Sequence, residues 1–208
     1  MGASSGLGAV FLQSMHESHP DLRVLRISRK SELAFDFSKE ETWNSLWERI
    51  SEFKPDRLFY FAGGGPWGPY PEKKWSSHLW TYRVNLLLPA YLLSRIHEIK
   101  LLQAVFVGSA IAESKADPWA ASYASSKHGL LGLISTLQAE RSLSPTDLRL
   151  FSPGYLDTPL LPAHAPPRAQ PGLVQSAEAG ALALAEWIAQ EQNANGHLRW
   201  PFAPDLKI

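Results

Sequence analysis

Two periodicities alternate along the chain. Apolar, β-rich runs at 23–28 (RVLRIS), 33–37 (LAFDF), 56–62 (DRLFYFA), 104–108 (AVFVG) and 148–152 (LRLFS) predict strands. Between them the apolar positions recur every three or four residues. Trp43, Leu46, Trp47 and Ile50 mark a helix over 42–53, and Leu130, Leu131, Leu133, Ile134 and Leu137 mark one over 118–142. The stretch 75–99 is mainly helical, with a bend expected near Pro89 because proline removes a backbone donor. Ser176 is placed to cap a helix over 177–192 with Glu178 in its first turn, and Asn195-Gly196 then turns into a short strand at 197–200. The segment 159–171 holds five prolines, too many for a helix or a central strand. Strands alternating with helices, without repeat or linker, imply one doubly wound α/β domain over 1–208. Its sheet is mostly parallel, with helices on both faces.

Composition narrows the function classes. Twenty basic and twenty acidic residues cancel, so no net field draws nucleic acid or an anionic membrane. No apolar run reaches the length of a membrane span, and no basic-then-apolar leader opens the chain. The absence of cysteine excludes disulfides, thiol catalysis and cysteine-bound metal, and fits a cytoplasmic protein. Seven histidines lack metal-ligand spacing, so no metal is expected; His16 and His19 read as solvent-facing.

Candidate chemistry sits in two places. Gly2, Gly6 and Gly8 form G-x-x-x-G-x-G ahead of an amphipathic helix through Val10, Phe11 and Met15. Glycines at such a turn let the backbone approach a pyrophosphate, whose charge a helix N-terminus stabilises. A flexible glycine- and serine-rich start is the alternative reading. Further on, Tyr123 and Lys127 stand four residues apart, fourteen residues after Ser109 at the end of the 104–108 strand. That spacing puts a phenol and an ammonium on one helix face. Alone, such a pair is ordinary surface decoration.

In combination these pieces resemble a single-domain short-chain dehydrogenase/reductase. The matching segments are GASSGLG at 2–8, Asp36, Ala62-Gly63, Asn85 within RVNLL, Ser109, YASSK at 123–127 and SPGYLDT at 152–158. The resemblance implies a Rossmann-like fold and a catalytic tetrad of Asn85, Ser109, Tyr123 and Lys127. Tyr123 would be the general acid or base, Lys127 would lower its pKa and hold the nicotinamide ribose, Ser109 would orient the substrate oxygen, and Asn85 would hold a relay water. It places Gly2, Ser4, Ser5, Gly6, Leu7 and Gly8 around the diphosphate. Asp36 and Phe37 would meet the adenine, with Ala62 and Gly63 on the adenosine side, and Pro153, Gly154, Leu156 and Thr158 would face the nicotinamide. Where an NAD-preferring enzyme usually carries an acid after its second strand, this chain has Ser28 followed by Arg29 and Lys30. Arg29 suits a 2′-phosphate, so NADP is expected, with NAD as the alternative.

Three departures qualify that reading. The family's opening strand is absent before Gly2, which leaves a gap expected at the centre of the sheet and raises the expectation of a start upstream of Met1. Tyr60 and Phe61 replace a usual pair of asparagines, and Ser5 stands where many NADP-dependent members have a basic residue. The 159–175 segment is expected to be a substrate loop, with Leu160, Leu161, Leu173 and Val174 as its inner face; with Trp119 it suggests a hydrophobic carbonyl or alcohol substrate. The helices at 75–99 and 118–142, carrying Ala120, Ala121, Ala124 and Ser125, suggest a homodimer or homotetramer. The leading function is an NAD(P)-dependent oxidoreductase. A non-catalytic Rossmann-like protein that binds a nucleotide or a partner, and an epimerase or dehydratase, remain the rivals.

Overall fold

Burial on both faces organises the sheet in the computed structural model, which describes residues 1–114 and 118–201. The central sheet runs β3 (Arg57–Tyr60), β4 (Gln103–Val107), β5 (Asp147–Pro153) and β8 (His197–Trp200), in that order and all parallel. In register, Leu58, Ala104 and Leu148 form one row and Tyr60, Phe106 and Leu150 the next. Both rows face a core completed by α2 (Trp43–Phe53), α4 (Leu88–Arg95) and α6 (Ala121–Glu140). The intervening positions Phe59, Val105 and Phe151 point the other way, toward α1 (Gly6–Ser18) and α7 (Ala177–Ile188). A strand buried on both faces therefore has apolar residues at successive positions, as the sequence runs suggested. The doubly wound, parallel α/β architecture stands as expected.

Several elements differ from the sequence expectation for identifiable reasons. The 75–99 stretch breaks into α3 (Trp75–Tyr82), a π-helical turn at Arg83–Leu87 and α4. Pro89 lacks the N–H that would bond to the carbonyl of Asn85, and the widened turn lies directly ahead of it. The proline-rich segment is not wholly irregular. It leaves β6 (Tyr155–Asp157), contains a 3-10 turn at Pro166–Ala169, and returns as β7 (Val174–Ser176), which pairs with β6 in parallel. Ser176 caps α7 as predicted, its hydroxyl accepting from the Ala179 N–H at 3.0 Å.

The runs at 23–28 and 33–37 shrink to β1 (Ile27–Ser28) and β2 (Leu33–Ala34), paired only with each other. The interval between β1 and β3 is bridged at one end by two residues. Gly2 donates to the Ile27 carbonyl at 2.8 Å, while Met1 donates to Phe59 at 2.6 Å and accepts from Phe61 at 2.9 Å. Beyond that bridge lies a slot of about 560 Å³ between the two strands, lined by Met1, Phe11, Val24, Leu25, Leu58 and Phe59 among others. With nothing across the slot to pair with, most of the 23–28 run has no ladder partner.

Candidate active site

Helix α6 carries the first part of the site. Leu130 and Ile134 are fully buried and fix the helix against the sheet, which sets the direction of the turn that holds Tyr123 and Lys127. Lys127 is 3% exposed; its Nζ donates to the carbonyl of Val107, the last residue of β4, at 2.7 Å. The same Nζ stands 5.8 Å from the centre of the Tyr123 ring. Burial lowers the Lys127 pKa from 10.5 to about 8, and the charge of Glu113 opposes that fall. Ser109 is buried just past β4, at the start of the short helix α5 (Ala110–Ser114). Ser109, Tyr123 and Lys127 all line one cleft, so the strand end and the helix turn converge as expected.

Asn85 makes its side-chain contacts away from the cleft wall. Its side chain is fully buried in the π-helical turn. It accepts from the Gly64 N–H at 3.0 Å and donates to the Gly64 carbonyl and to Ser126 Oγ, both at 2.9 Å. It is not part of the cleft wall; it pins the backbone after β3 to α6. Gly63 is where the two groups meet, since a Cβ there would lie 3.4 Å from both Asn85 Oδ1 and Lys127 Nζ.

The glycine turn forms the opposite wall. Gly2 and Gly6 take positive φ of 75° and 57°, and Ser5 leads into α1 with no side-chain cap. The first N–H groups of α1 are thus left for a ligand, which suits an anion. Ser4, Ser5, Leu7 and Gly8 line the cleft with them. Gly8 packs on Phe61, whose ring stands 5.4 Å from Phe11 and 6.1 Å from Phe59. Phe61 is therefore an apolar buttress under α1, while the Tyr60 hydroxyl donates to Val84 at 2.6 Å, replacing by another route a tie that an amide would have made.

Arg29, Asp36 and Phe37 lie along the cleft's far end, with Ala62 and Gly63 between them and the lysine. Burial alone would raise the Asp36 carboxyl, but hydrogen bonds from Ser38 and the charges of Lys39 and Arg29 hold it below its usual value. Pro153, Gly154, Leu156 and Thr158 complete the near end, and Thr158 packs on Gly6. These glycine positions and the open helix terminus fit a dinucleotide's diphosphate.

The remaining wall was only partly legible. Leu160 and Leu161 line the cleft as expected, joined by Pro159 and Pro162, whereas Leu173 and Val174 do not. Arg168 pins this loop by donating to Leu161, Pro162 and Asp157. Trp119 is 53% exposed and stands edge-on to Trp67 at 6.3 Å; Trp67 and Trp80 form the wall instead. Trp67 follows the Gly63-Gly64-Gly65 run, a position that alone could have drawn notice. Glu113 gives no sign in the sequence either, because its side-chain partners are all distant along the chain.

No family model matches the chain, and neither does any curated protein. Solved structures do. A 4-hydroxyisoleucine dehydrogenase complexed with NADH and succinate superposes with a TM-score of 0.80 at 20% identity, over 95% of this chain and 94% of its own. A short-chain dehydrogenase from Burkholderia cenocepacia in complex with NADP gives 0.81 at 19% identity, over 95% and 93%. The 3-alpha-hydroxysteroid dehydrogenase of a Pseudomonas species, complexed with NADH, gives 0.73 at 20%, over 96% and 92%. At these identities the likeness shows a shared fold: the chain has the Rossmann-like α/β fold of short-chain dehydrogenases.

Proposed function

We propose that the protein is an NADP-preferring oxidoreductase of the short-chain dehydrogenase/reductase type that interconverts a small-molecule carbonyl and its alcohol. The observation that carries this reading is the convergence of Ser109, Tyr123 and Lys127 on one cleft with the glycine turn at the start of α1. In the reducing direction the Tyr123 phenol gives its proton to the carbonyl oxygen, which Ser109 orients. An ordinary phenol, with a pKa near ~10, is a poor acid at neutral pH, and the Lys127 ammonium favours its ionised form. Bound between the two walls, the nicotinamide cofactor supplies the hydride. Gly2 through Gly8 would hold its diphosphate and Arg29 its 2′-phosphate. Asn85 fixes Gly64 and Ser126 through its side chain and would hold the relay water beside Lys127.

Among the described residues the substrate half of the cleft carries no charged side chain apart from Lys127, its wall being Pro66, Trp67, Trp80, Ala120, Leu160 and Leu161. An uncharged, apolar carbonyl compound fits it best. Titrating NADPH and NADH by fluorescence and then screening carbonyls tests the whole reading. Saturable NADPH binding with turnover of apolar ketones or aldehydes supports it. Binding with no turnover of any carbonyl would favour a nucleotide-binding protein without catalysis. Arg29→Ala is expected to weaken NADPH binding about 10-fold and leave NADH within about twofold, the loss of one charge-assisted contact. Equal effects on both would withdraw the NADP preference.

Exposed Trp75 and Leu87, near α6, support assembly through the long helices into a homodimer or homotetramer, which light scattering on the eluted protein decides. A cytoplasmic site of action is part of the same proposal; among the described residues no helix is long and apolar enough to cross a membrane. Imaging of the tagged chain tests the location.

A further inference from the structure

A buried carboxylate stands behind the site, and nothing in the mechanism above uses it. Glu113 lies on α5, four residues after Ser109, and its N–H donates to the Ser109 carbonyl at 3.1 Å. Its side chain has no exposed surface. Three donors from two strands meet it there: Ser152 Oγ of β5 on one oxygen, and His197 Nε2 at 3.1 Å and Arg199 Nε at 3.0 Å, both of β8, on the other. His197 also lies 3.0 Å from Ser152 Oγ, which closes the cluster. Gly108 has to be glycine because of it, since a Cβ there would collide with Ser152 Oγ and lie 2.9 Å from Glu113 Oε1. Burial alone would raise the Glu113 carboxyl; the hydrogen bonds from His197, Ser152 and Arg199, with the charge of His197, more than reverse that, so the group is anionic.

The cluster and Lys127 meet at the end of β4: Glu113 Oε1 packs against Gly108, and the adjacent Val107 carbonyl accepts from Lys127 Nζ at 2.7 Å. The charged and titratable groups turned toward Glu113 are His197 and Arg199 on β8 and Lys127 on α6. Those turned toward Lys127 are Tyr123 and Glu113. Among the described residues Lys127 has only a backbone carbonyl as hydrogen-bond acceptor, and Glu113 is the one carboxylate whose charge acts on it appreciably. A buried ammonium without a counter-charge gives up its proton.

We propose that Glu113 is a positioning residue of this site: it clamps the Ser109 turn to the last two strands and serves as the counter-charge that keeps Lys127 an ammonium. The catalytic consequence rests on the oxidoreductase reading, but the electrostatic assignment does not. Its test is the pH titration of Lys127 Nζ, followed by NMR in ¹⁵N-lysine-labelled protein and assigned by the resonance lost in Lys127→Arg.

In the unaltered chain the midpoint should fall near pH 8. Glu113→Gln should move it to lower pH, and Arg199→Gln, at a half-exposed site, should move it to higher pH by removing a competing cation. Ser152→Ala removes a hydrogen bond without a charge, so it should lower the melting temperature and leave the midpoint in place. Opposite shifts in the two charge variants cannot come from loosened packing. A midpoint unmoved by both variants, or moved the same way by both, overturns the proposal; where Glu113→Gln does not fold, the direction of the Arg199→Gln shift decides alone. With a turned-over carbonyl, the high-pH limb of the reduction should follow each midpoint. If the midpoints shift as stated and no carbonyl is reduced, the oxidoreductase reading falls and the role of Glu113 stands.

Discussion

Replacing Tyr123 by phenylalanine should lower the rate of NADPH-linked carbonyl reduction by about 10²- to 10⁴-fold, the range of a lost general acid. The change deletes one oxygen and keeps the ring that faces Lys127 at 5.8 Å, so the attraction between ammonium and ring face persists. The change leaves the glycine turn and Arg29 in place, so NADPH affinity should stay within about twofold. Turnover and dissociation constant, measured on the same preparation, separate these effects. A variant that keeps more than about a third of the parent rate would mean that the phenol is not the proton donor. The cleft would then be a binding site in which Tyr123 is only a wall.

The parts of this site legible in the sequence are those held by local chemistry. A glycine turn before an amphipathic helix, and a phenol and an amine one turn apart, depend on neighbours within a few residues. Gly2, Ser4, Ser5, Gly6, Leu7, Gly8, Ser109, Tyr123 and Lys127 accordingly all fall on the cleft. The period of the apolar runs likewise located the sheet and assigned its two faces. What escaped the sequence depends on distant contacts. The amide of Asn85 is committed to residues 21 and 41 positions away, so a polar residue in a helix gave no sign of its partners. Glu113 meets a β8 arginine 86 positions on. The β6–β7 pair lies on either side of a proline-rich excursion whose composition argues against regular structure, yet each strand is only three residues long and needs no central ladder. The strands at 23–28 and 33–37 were read too long because side-chain pattern reports which way residues face, while pairing needs a neighbour. Among the described residues only Met1 and Gly2 join β1 and β3.

That two-residue bridge makes Gly2 the position where fold and site fail together. Its φ of 75° lies in the left-handed region, and a Cβ there would run into the backbone of Ala62. Gly2→Val should therefore destabilise the protein by roughly 3 kcal/mol, combining the left-handed penalty of a side chain with overpacking against a backbone that has no rotamer to change. Because Gly2 also lines the cleft at the glycine turn, separating it from Ala62 displaces the wall that faces the diphosphate. NADPH affinity should fall by at least about 100-fold, on the order of two lost charge-assisted hydrogen bonds. A glycine elsewhere provides the contrast. Gly132 on α6 has nothing within 4 Å of a built Cβ, and Gly132→Ala should stabilise the helix by about 1 kcal/mol with NADPH binding unchanged. Chemical denaturation and fluorescence titration of the two variants side by side read both quantities. Gly2→Val protein that melts and binds like the parent would mean that Met1 and Gly2 do not join the two strands in solution, and that the dinucleotide wall is built from other residues.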